Sequence, residues 1–189
     1  MPSSISLPLS HGRQRGLSLL ELLAALAILA LLSSFSLALW PAVEHSLDLA
    51  RVRSLEGLLS LARSAAVQRA EVVTLCGSLD GRHCSASWSG DFQVLVFVDD
   101  NHNRRLDEGE ELLAADNLVG GRWQWRGSGL RGYMRYGAVG QALDFGSFYL
   151  CPGPGADRGH RLRVSAPGRS HRNVLPREEL EAEGLCPPR

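Results

Sequence analysis

The longest apolar run of the chain lies near its N-terminus, from Leu17 to Leu39. At about 1.5 Å per residue, a helix of this length spans the hydrocarbon core of a bilayer. Glu21 is the only charged residue in the run. A carboxylate inside such a segment is costly and usually functional, although the helix dipole also stabilises an acid in the first turn. The pattern predicts a transmembrane helix over Leu17–Leu39.

The residues that flank this run indicate its orientation and its processing. His11, Arg13 and Arg15 precede it, so the positive-inside rule keeps the short leader in the cytoplasm. The small residue Gly16 stands before the run, whereas a secretory signal is cut after a shorter apolar core. We therefore expect cleavage on the cytoplasmic side, retention of the hydrophobic helix, and export of everything that follows Trp40.

The next segment has helical spacing. Apolar residues recur at intervals of three and four, with charged residues largely between them; the apolar set is Leu55, Leu58, Leu59, Ala62, Ala65 and Ala66. This spacing predicts an amphipathic helix that continues to about Arg69 and packs its apolar stripe on a sheet. Pro41 predicts a kink or a stop between the two helical stretches.

Short segments rich in branched apolar or alternating residues follow, separated by glycine-rich breaks. They are residues 71–76, 92–98, 122–126, 130–136, 147–151 and 161–165. We interpret the chain as an α+β protein in which one long helix packs on antiparallel strands. The expected organisation is a leader at 1–16, a transmembrane helix at 17–39, its amphipathic continuation at 40–69, and a β-rich domain at 70–189.

Four cysteines, Cys76, Cys84, Cys151 and Cys186, fit two disulfides in an oxidising compartment. Three pairings are possible, and free buried thiols are the alternative. Cys76 and Cys84 bracket a short loop, and a bond between Cys151 and Cys186 would hold the C-terminal tail. The sequence has no zinc-finger spacing, nucleophile elbow, P-loop or dinucleotide fingerprint, so we expect neither an enzyme nor an organic cofactor.

A polar segment between two of the predicted strands has oxygen ligands at the spacing of an EF-hand-like loop. They are Asp99, Asn101, Asn103, Asp107 and Glu110, and they make calcium a candidate ligand. Against calcium, Arg104 stands where the sharp turn of such loops requires glycine, and the flanking segments are predicted strands. The alternative is a polar hairpin turn between Val98 and Leu112, in which Asn and Asp serve the turn geometry.

Charge is segregated along the chain although the formal net charge is zero. Residues 80–116 contain nine acids and three arginines, a net of −6, whereas residues 122–172 contain nine arginines and two acids, a net of +7. The basic stretch includes Trp123, Trp125 and Tyr133, and arginines interleaved with aromatics suit a nucleic-acid backbone with exposed bases. The alternative is a solvated sheet face that complements neighbouring subunits or the chain's own acidic loop.

The hexapeptide from Gly16 to Glu21, Gly-Leu-Ser-Leu-Leu-Glu, resembles the prepilin signature, with Leu17 where Phe is commoner. In that family a membrane peptidase cuts after the glycine and methylates the new amine. The resemblance implies cleavage between Gly16 and Leu17, N-methylation of Leu17, and an ion pair between Glu21 and the Leu17 amine of a neighbouring subunit. The implied partners are prepilin peptidase, other pilins or pseudopilins, and the inner membrane, with the C-terminal domain in the periplasm.

The globular part contains an ordered set of features: Arg-Ser-Ala-Ala at 63–66, Val-Thr-Leu-Cys at 73–76, Asp80-Gly81, Cys84, Trp88, Gly90, the segment 97–110 and Gly168-Arg169. This set resembles the GspH/FimT group of pseudopilins and minor pilins. The resemblance implies a pilin-like fold, a filament-core role for the helix at 17–39, and a low-copy subunit at or near the tip of a filament. Type II secretion systems and type IV pili use the same leader and helix, so both machines stay open.

The segment from Gly168 to Arg172 resembles the G-R-x-R motif of DNA-binding FimT-type pilins, with one inserted residue. DNA binding for natural transformation is therefore an alternative function. Its candidate phosphate contacts, on a late hairpin, are Arg161, Arg163, Arg169 and Arg172. A plain turn with charges on an edge strand explains the same residues without DNA.

Overall fold

The computed structural model describes residues 18–88, 92–118, 121–128, 131–153 and 155–187, and for 31–42 it describes the backbone alone. The chain divides into two compact units, residues 1–40 and residues 41–189. One helix, α1 (Leu19–Arg69), has residues in both. Of the kink or stop predicted at Pro41, the stop does not occur, because Pro41 lies inside this range, and the kink stays a prediction.

In the first unit, the described part of α1 exposes its apolar side chains. The large ones that are more than half exposed are Leu19, Leu20, Leu22, Leu23, Leu26, Ile28 and Leu29. Within the part of the chain that the structure describes, no helix is both long enough and apolar enough to cross a membrane. Some side chains of the predicted span Leu17–Leu39 fall outside the described residues, and the span stays a prediction.

In the second unit, α1 buries the predicted stripe. The most deeply buried residues of the stripe, at most 1% exposed, are Leu55, Leu59, Ala62 and Ala66, and Val52, one turn before the stripe, is buried as well. The helix ends at Arg69, as the spacing predicts. Ala70 follows with a φ of 57°, the left-handed conformation that commonly terminates a helix.

In the part of the chain that the structure describes, eight strands and a short helix follow α1: β1 (Val73–Ser78), β2 (Gln93–Val98), β3 (Leu112–Asn117), β4 (Arg122–Gly127), β5 (Tyr133–Tyr136), β6 (Gly146–Cys151), β7 (Arg158–Val164), β8 (Ser170–Pro176) and α2 (Arg177–Ala182). They form two four-stranded sheets with the strand orders β3-β2-β1-β5 and β4-β6-β7-β8. All neighbouring strands are antiparallel. The predicted α+β fold is thereby confirmed. The six predicted strand segments overlap β1, β2, β4, β5, β6 and β7.

The stripe of α1 and one face of each sheet share a single apolar core. Because side chains alternate along a strand, every second residue of each sheet points into this core. The first sheet contributes residues such as Leu75, Val96 and Met134, and the second contributes Trp123 and Phe148. Each fully buried side chain of this kind stabilises the fold by roughly 1.5–3 kcal/mol.

Each sheet also has an outer face with its own smaller cluster and its own disulfide. The first outer face, on the first sheet, contains Cys76, Leu95, Phe97 and Tyr133, with Cys84 and Leu106 packed against them. The second outer face, on the second sheet, contains Tyr149, Cys151 and Leu175, covered by Leu180, Leu185 and Cys186. The bonds Cys76–Cys84 and Cys151–Cys186 each join a strand to the segment that covers it.

Candidate functional site

The beginning of α1 contains the described residues of the predicted filament contact. Gly16 and Leu17 lie outside the described residues. The Ser18 hydroxyl accepts a hydrogen bond from the Leu20 N–H at 3.3 Å, so Ser18 caps the helix. Glu21 lies in the first turn and is exposed. The Ser-x-x-Glu spacing is that of a capping box, and the position lets the helix dipole stabilise the carboxylate.

Glu21 is therefore tolerated within its own chain, but its surroundings are unusual for a charge. The exposed side chains before and after it, Leu20 and Leu22, are apolar. Covering this surface with another apolar helix would remove the carboxylate from water, which is costly without a cationic partner. The predicted role of Glu21 in assembly fits this position and stays a prediction.

The acidic loop between β2 and β3 is organised by Asp99, the first of the proposed calcium ligands. Asp99 is fully buried, and its Oδ2 accepts a hydrogen bond from the Thr74 hydroxyl at 2.8 Å. Both carboxylate oxygens also face the backbone N–H of Arg104, at 3.4 and 3.3 Å. Arg104, at the position where EF-hand-like loops require glycine, adopts a left-handed φ of 63°. The loop makes this turn without glycine.

The remaining polar side chains of the loop also bond within it. Asp107 accepts hydrogen bonds from the side-chain amides of Asn101 and Asn103, at 2.9 and 2.5 Å, and these bonds lower its pKa. Glu110 accepts from the backbone N–H of Asp107 at 3.0 Å. Among the described residues, no group of three or more His, Cys, Asp or Glu side chains is placed to hold a metal ion. The structure supports the hairpin turn and gives no support to calcium at Asp99, Asn101, Asn103, Asp107 and Glu110.

A second polar loop, closed by the Cys76–Cys84 bond, lies beside the first. Asp80 accepts hydrogen bonds from the backbone N–H groups of His83 and Arg82, at 2.8 and 2.9 Å. It also lies 2.6 Å from Nδ1 of His83. These bonds, led by the one from the His83 backbone, hold the pKa of the Asp80 carboxyl well below its usual range. Hydrogen bonding of polar side chains therefore shapes both loops of the first outer face.

The four candidate DNA contacts do not form one cluster. Arg161 and Arg163 point to the second outer face, where Arg163 pairs across the strands with His171. Arg169 is exposed in the turn before β8. Arg172 pairs with the buried Leu162, so it points to the inner side, where its Nη1 lies 3.6 Å from Glu56 of α1. Arg172 therefore lies on the other side of the second sheet from Arg161 and Arg163.

The inserted residue of the Gly-Arg motif explains this placement. Without the insertion, the last arginine would stand at position 171, on the same face as Arg163. A shift of one residue along a strand moves a side chain to the opposite face. DNA binding by Arg161, Arg163, Arg169 and Arg172 stays a prediction.

One cluster of side chains was not predicted from the sequence. The ring of Tyr133 on the first outer face is contacted by the guanidinium groups of Arg104, Arg131 and Arg135. The alternation of Arg131, Tyr133 and Arg135 predicts that these three share one face of a strand. The contact between Arg104 and the ring could not be predicted in this way, because Arg104 lies in a loop that is distant in sequence.

Comparisons with known proteins agree with this architecture. Residues 51–168 match the family described as Type II transport protein GspH, and residues 11–37 match the prokaryotic N-terminal methylation motif. The type IV minor pilin FimU of Pseudomonas aeruginosa superimposes with a TM-score of 0.52 at 17% identity, over 71% of this chain and 92% of that one. This similarity concerns the fold.

A relative with higher sequence identity is the pilin-like protein PilA1 of Thermus thermophilus, which is 39% identical over 110 residues. The match covers 58% of this chain and 64% of PilA1, which is less than two thirds of the length of that protein. Taken with the long helix and the antiparallel sheets, the matches define a type IV pilin-like protein. Because the family match spans more than half of the chain, the protein belongs to the GspH family.

Proposed function

We propose that the chain is a minor pilin or pseudopilin subunit of a type II secretion system or a type IV pilus, acting in filament assembly or at the filament tip. The observation that carries this proposal is the exposed carboxylate of Glu21 in the first turn of an apolar helix, within the segment that matches the methylation motif. The role is structural and not enzymatic.

In this proposal, prepilin peptidase cleaves between Gly16 and Leu17 and methylates the Leu17 amine. Before assembly, the helix anchors the protein in the inner membrane as a single span, with the globular domain in the periplasm. In the filament, Glu21 pairs with the Leu17 amine of a neighbouring pilin, because a charge in an apolar environment needs an opposite charge. Membership of the GspH family and the similarity to a pilin-like protein support association with other pilins.

The processing step is tested by mass spectrometry of the protein from cells with and without prepilin peptidase. We expect an N-methylated Leu17 terminus when the peptidase is present and the full-length chain when it is absent. A protein that retains residues 1–16 in cells with a working peptidase would contradict the proposal.

The assembly step is tested by Glu21→Ala, measured as the amount of protein in sheared or purified filaments. We expect processing to continue and incorporation to be lost. Glu71→Ala is the matched control, because Glu71 is also exposed but lies beyond the end of α1. Equal incorporation of the Glu21→Ala variant and the parent would contradict the proposed ion pair. Assays of protein secretion and piliation in a deletion strain distinguish the two machines.

A further inference from the structure

The cluster around Tyr133 brings three positive charges to one aromatic ring. The guanidinium carbons of Arg104 and Arg135 each lie 5.4 Å from the ring centroid, and that of Arg131 lies 6.0 Å from it. Such contacts are favourable for each cation and restrict the guanidinium orientation. The ring is 9% exposed, so the arginines, and not the aromatic face, are what the site presents to solvent.

Two of the three arginines are compensated by one buried acid. Asp144 is 1% exposed and lies 2.7 Å from Nε of Arg135 and 3.1 Å from Nη1 of Arg131. The hydrogen bond to Asp144 raises the pKa of Arg135. Each carboxylate oxygen of Asp144 therefore already has an arginine partner.

Arg104 differs from the other two because it has no such partner. Its Nε donates to the carbonyl of Asn103 at 3.3 Å, and its Nη1 lies 3.5 Å from the Tyr133 hydroxyl. Among the described residues, no carboxylate oxygen lies within 4.0 Å of its guanidinium group. The nearby Asp99 accepts from the Arg104 backbone instead. The charge of Arg104 is held in place by the ring but is not neutralised.

The cluster opens on a pocket of about 540 Å³ beside the Cys76–Cys84 bond. Its described lining includes Arg104, Arg105, Arg131, His83 and Tyr133, and none of the described lining residues is acidic. The acids that pair with Arg105, Arg131 and His83 lie outside this described lining. The described lining of the pocket is therefore positively charged.

The surroundings of the pocket select between two kinds of anion. Residues 80–116, which supply both covering loops, have a net charge of −6. A nucleic acid needs a broad positive surface along its backbone, and these acids interrupt such a surface. A single carboxylate requires only one planar guanidinium, which binds it through two parallel hydrogen bonds.

We propose that this pocket binds a carboxylate side chain from an exposed acidic segment of a protein partner, with Arg104 as the principal contact and Arg131 as a second donor. The proposal rests on the assembly role only for the expectation that the partner is a protein. The chemistry of the pocket belongs to residues that are distant from the N-terminal helix in sequence.

The test uses the full chain in detergent micelles and a fluorescent octaglutamate peptide, with binding followed by fluorescence anisotropy at low salt. We expect Arg104→Gln to weaken binding by about tenfold or more, because a hydrogen bond to a charged group is lost. Arg104→Lys keeps the positive charge but not the planar, two-pronged guanidinium group, so its affinity should lie between those of the parent and Arg104→Gln. Arg53→Gln is the charge-matched control, since Arg53 is an exposed residue of α1, and it should bind as the parent does.

Three results would overturn the proposal: equal affinity of the parent and Arg104→Gln, no preference for octaglutamate over octaglutamine, or tighter binding of an oligothymidylate that Arg104→Gln abolishes. Circular dichroism checks the fold of each variant. If Arg104→Gln does not fold, Arg131→Gln decides, with severalfold weaker binding expected and parental affinity contradicting the pocket. If prepilin peptidase does not process the chain but the chain still binds the peptide, the filament proposal fails and the proposal for this pocket stands.

Discussion

On the first outer face, two loops cover the sheet, and polar side chains such as Asp80, Asp99 and Asp107 hold these loops by hydrogen bonds. On the second outer face, α2 and the residues after it form the cover, and Leu180 and Leu185 are buried there. A disulfide ties each cover to its sheet. A disulfide bond thus holds a polar cover in one region and an apolar cover in the other.

The two sheets also differ in how completely their buried polar atoms are bonded. Among the described residues, the buried side-chain atoms without a hydrogen-bond partner include Nε1 of Trp123, Nε1 of Trp125, Nδ1 of His160 and Nε of Arg161, all on strands of the second sheet. In the first sheet, the buried Thr74 and Asp99 bond to each other. Unsatisfied buried groups cost free energy, so the second sheet depends more on its cover and its apolar packing.

The disulfides give the largest expected difference between the two regions. Cys151 and Cys186 are 35 residues apart, and Cys76 and Cys84 are 8 apart. From loop-closure entropy, replacing both cysteines of the longer loop by Ala should lower the free energy of unfolding by about 4 kcal/mol. Replacing both cysteines of the shorter loop should lower it by about 2.5 kcal/mol. Urea unfolding followed by circular dichroism measures both. A larger loss at the Cys76–Cys84 bond would contradict the comparison.

The turn between β7 and β8 should be the next most sensitive position. Gly168 has a φ of 81°, and a methyl group there would collide with the Gly140 carbonyl, which accepts a hydrogen bond from Nε of Arg63 at 2.9 Å. We expect Gly168→Ala to cost roughly 3 kcal/mol, from backbone strain plus this collision. Gly155→Ala is the matched control, because Gly155 has a φ of 82° with open space around it. It should cost about 1 kcal/mol in the same urea unfolding assay. Equal costs would show that the contact with Gly140 does not matter.

Much of the fold follows from periodicity. The apolar stripe predicts the end of α1 at Arg69, and branched apolar runs predict six strands. The bounds of β3 were not predicted, because its sequence lacks β-branched residues and lies half exposed. β8 is a polar edge strand with a single buried residue, Leu175, and α2 has only six residues, too few for its apolar spacing to repeat.

The candidate sites were predictable only where neighbours in sequence are neighbours in space. Glu21 stands out because it is a charge in an apolar run. The separation of Arg172 from Arg163 depends on the register of β7 and β8, which one residue in the turn changes. The approach of Arg104 to Tyr133 depends on a loop that turns at a left-handed arginine, and no local pattern predicts such a contact.

The smallest expected difference between the two sheets is their response to mild acid. His160, on the inner side of the second sheet, is 3% exposed, and burial lowers its pKa. Asp48, His45, Arg172 and Glu56 face it, and the two acids only partly oppose the effect of burial. Because the folded protein binds this proton less readily than the unfolded chain, the contribution of His160 to stability is present above pH 6.5 and is lost as the pH falls below it.

The lowered carboxyl pKa values of Asp80 and Asp107 act in the same direction, but only below about pH 4, where unfolded aspartates take up protons. Between pH 7 and 5 the loss should therefore come from His160, with a slope below about 1.4 kcal/mol per pH unit, the limit for one proton. His160→Gln should flatten the slope measured by urea unfolding in this range, whereas His171→Gln, an exposed neighbour on β8, should not. An unchanged slope in the His160→Gln variant would assign the acid response to a titratable side chain other than His160.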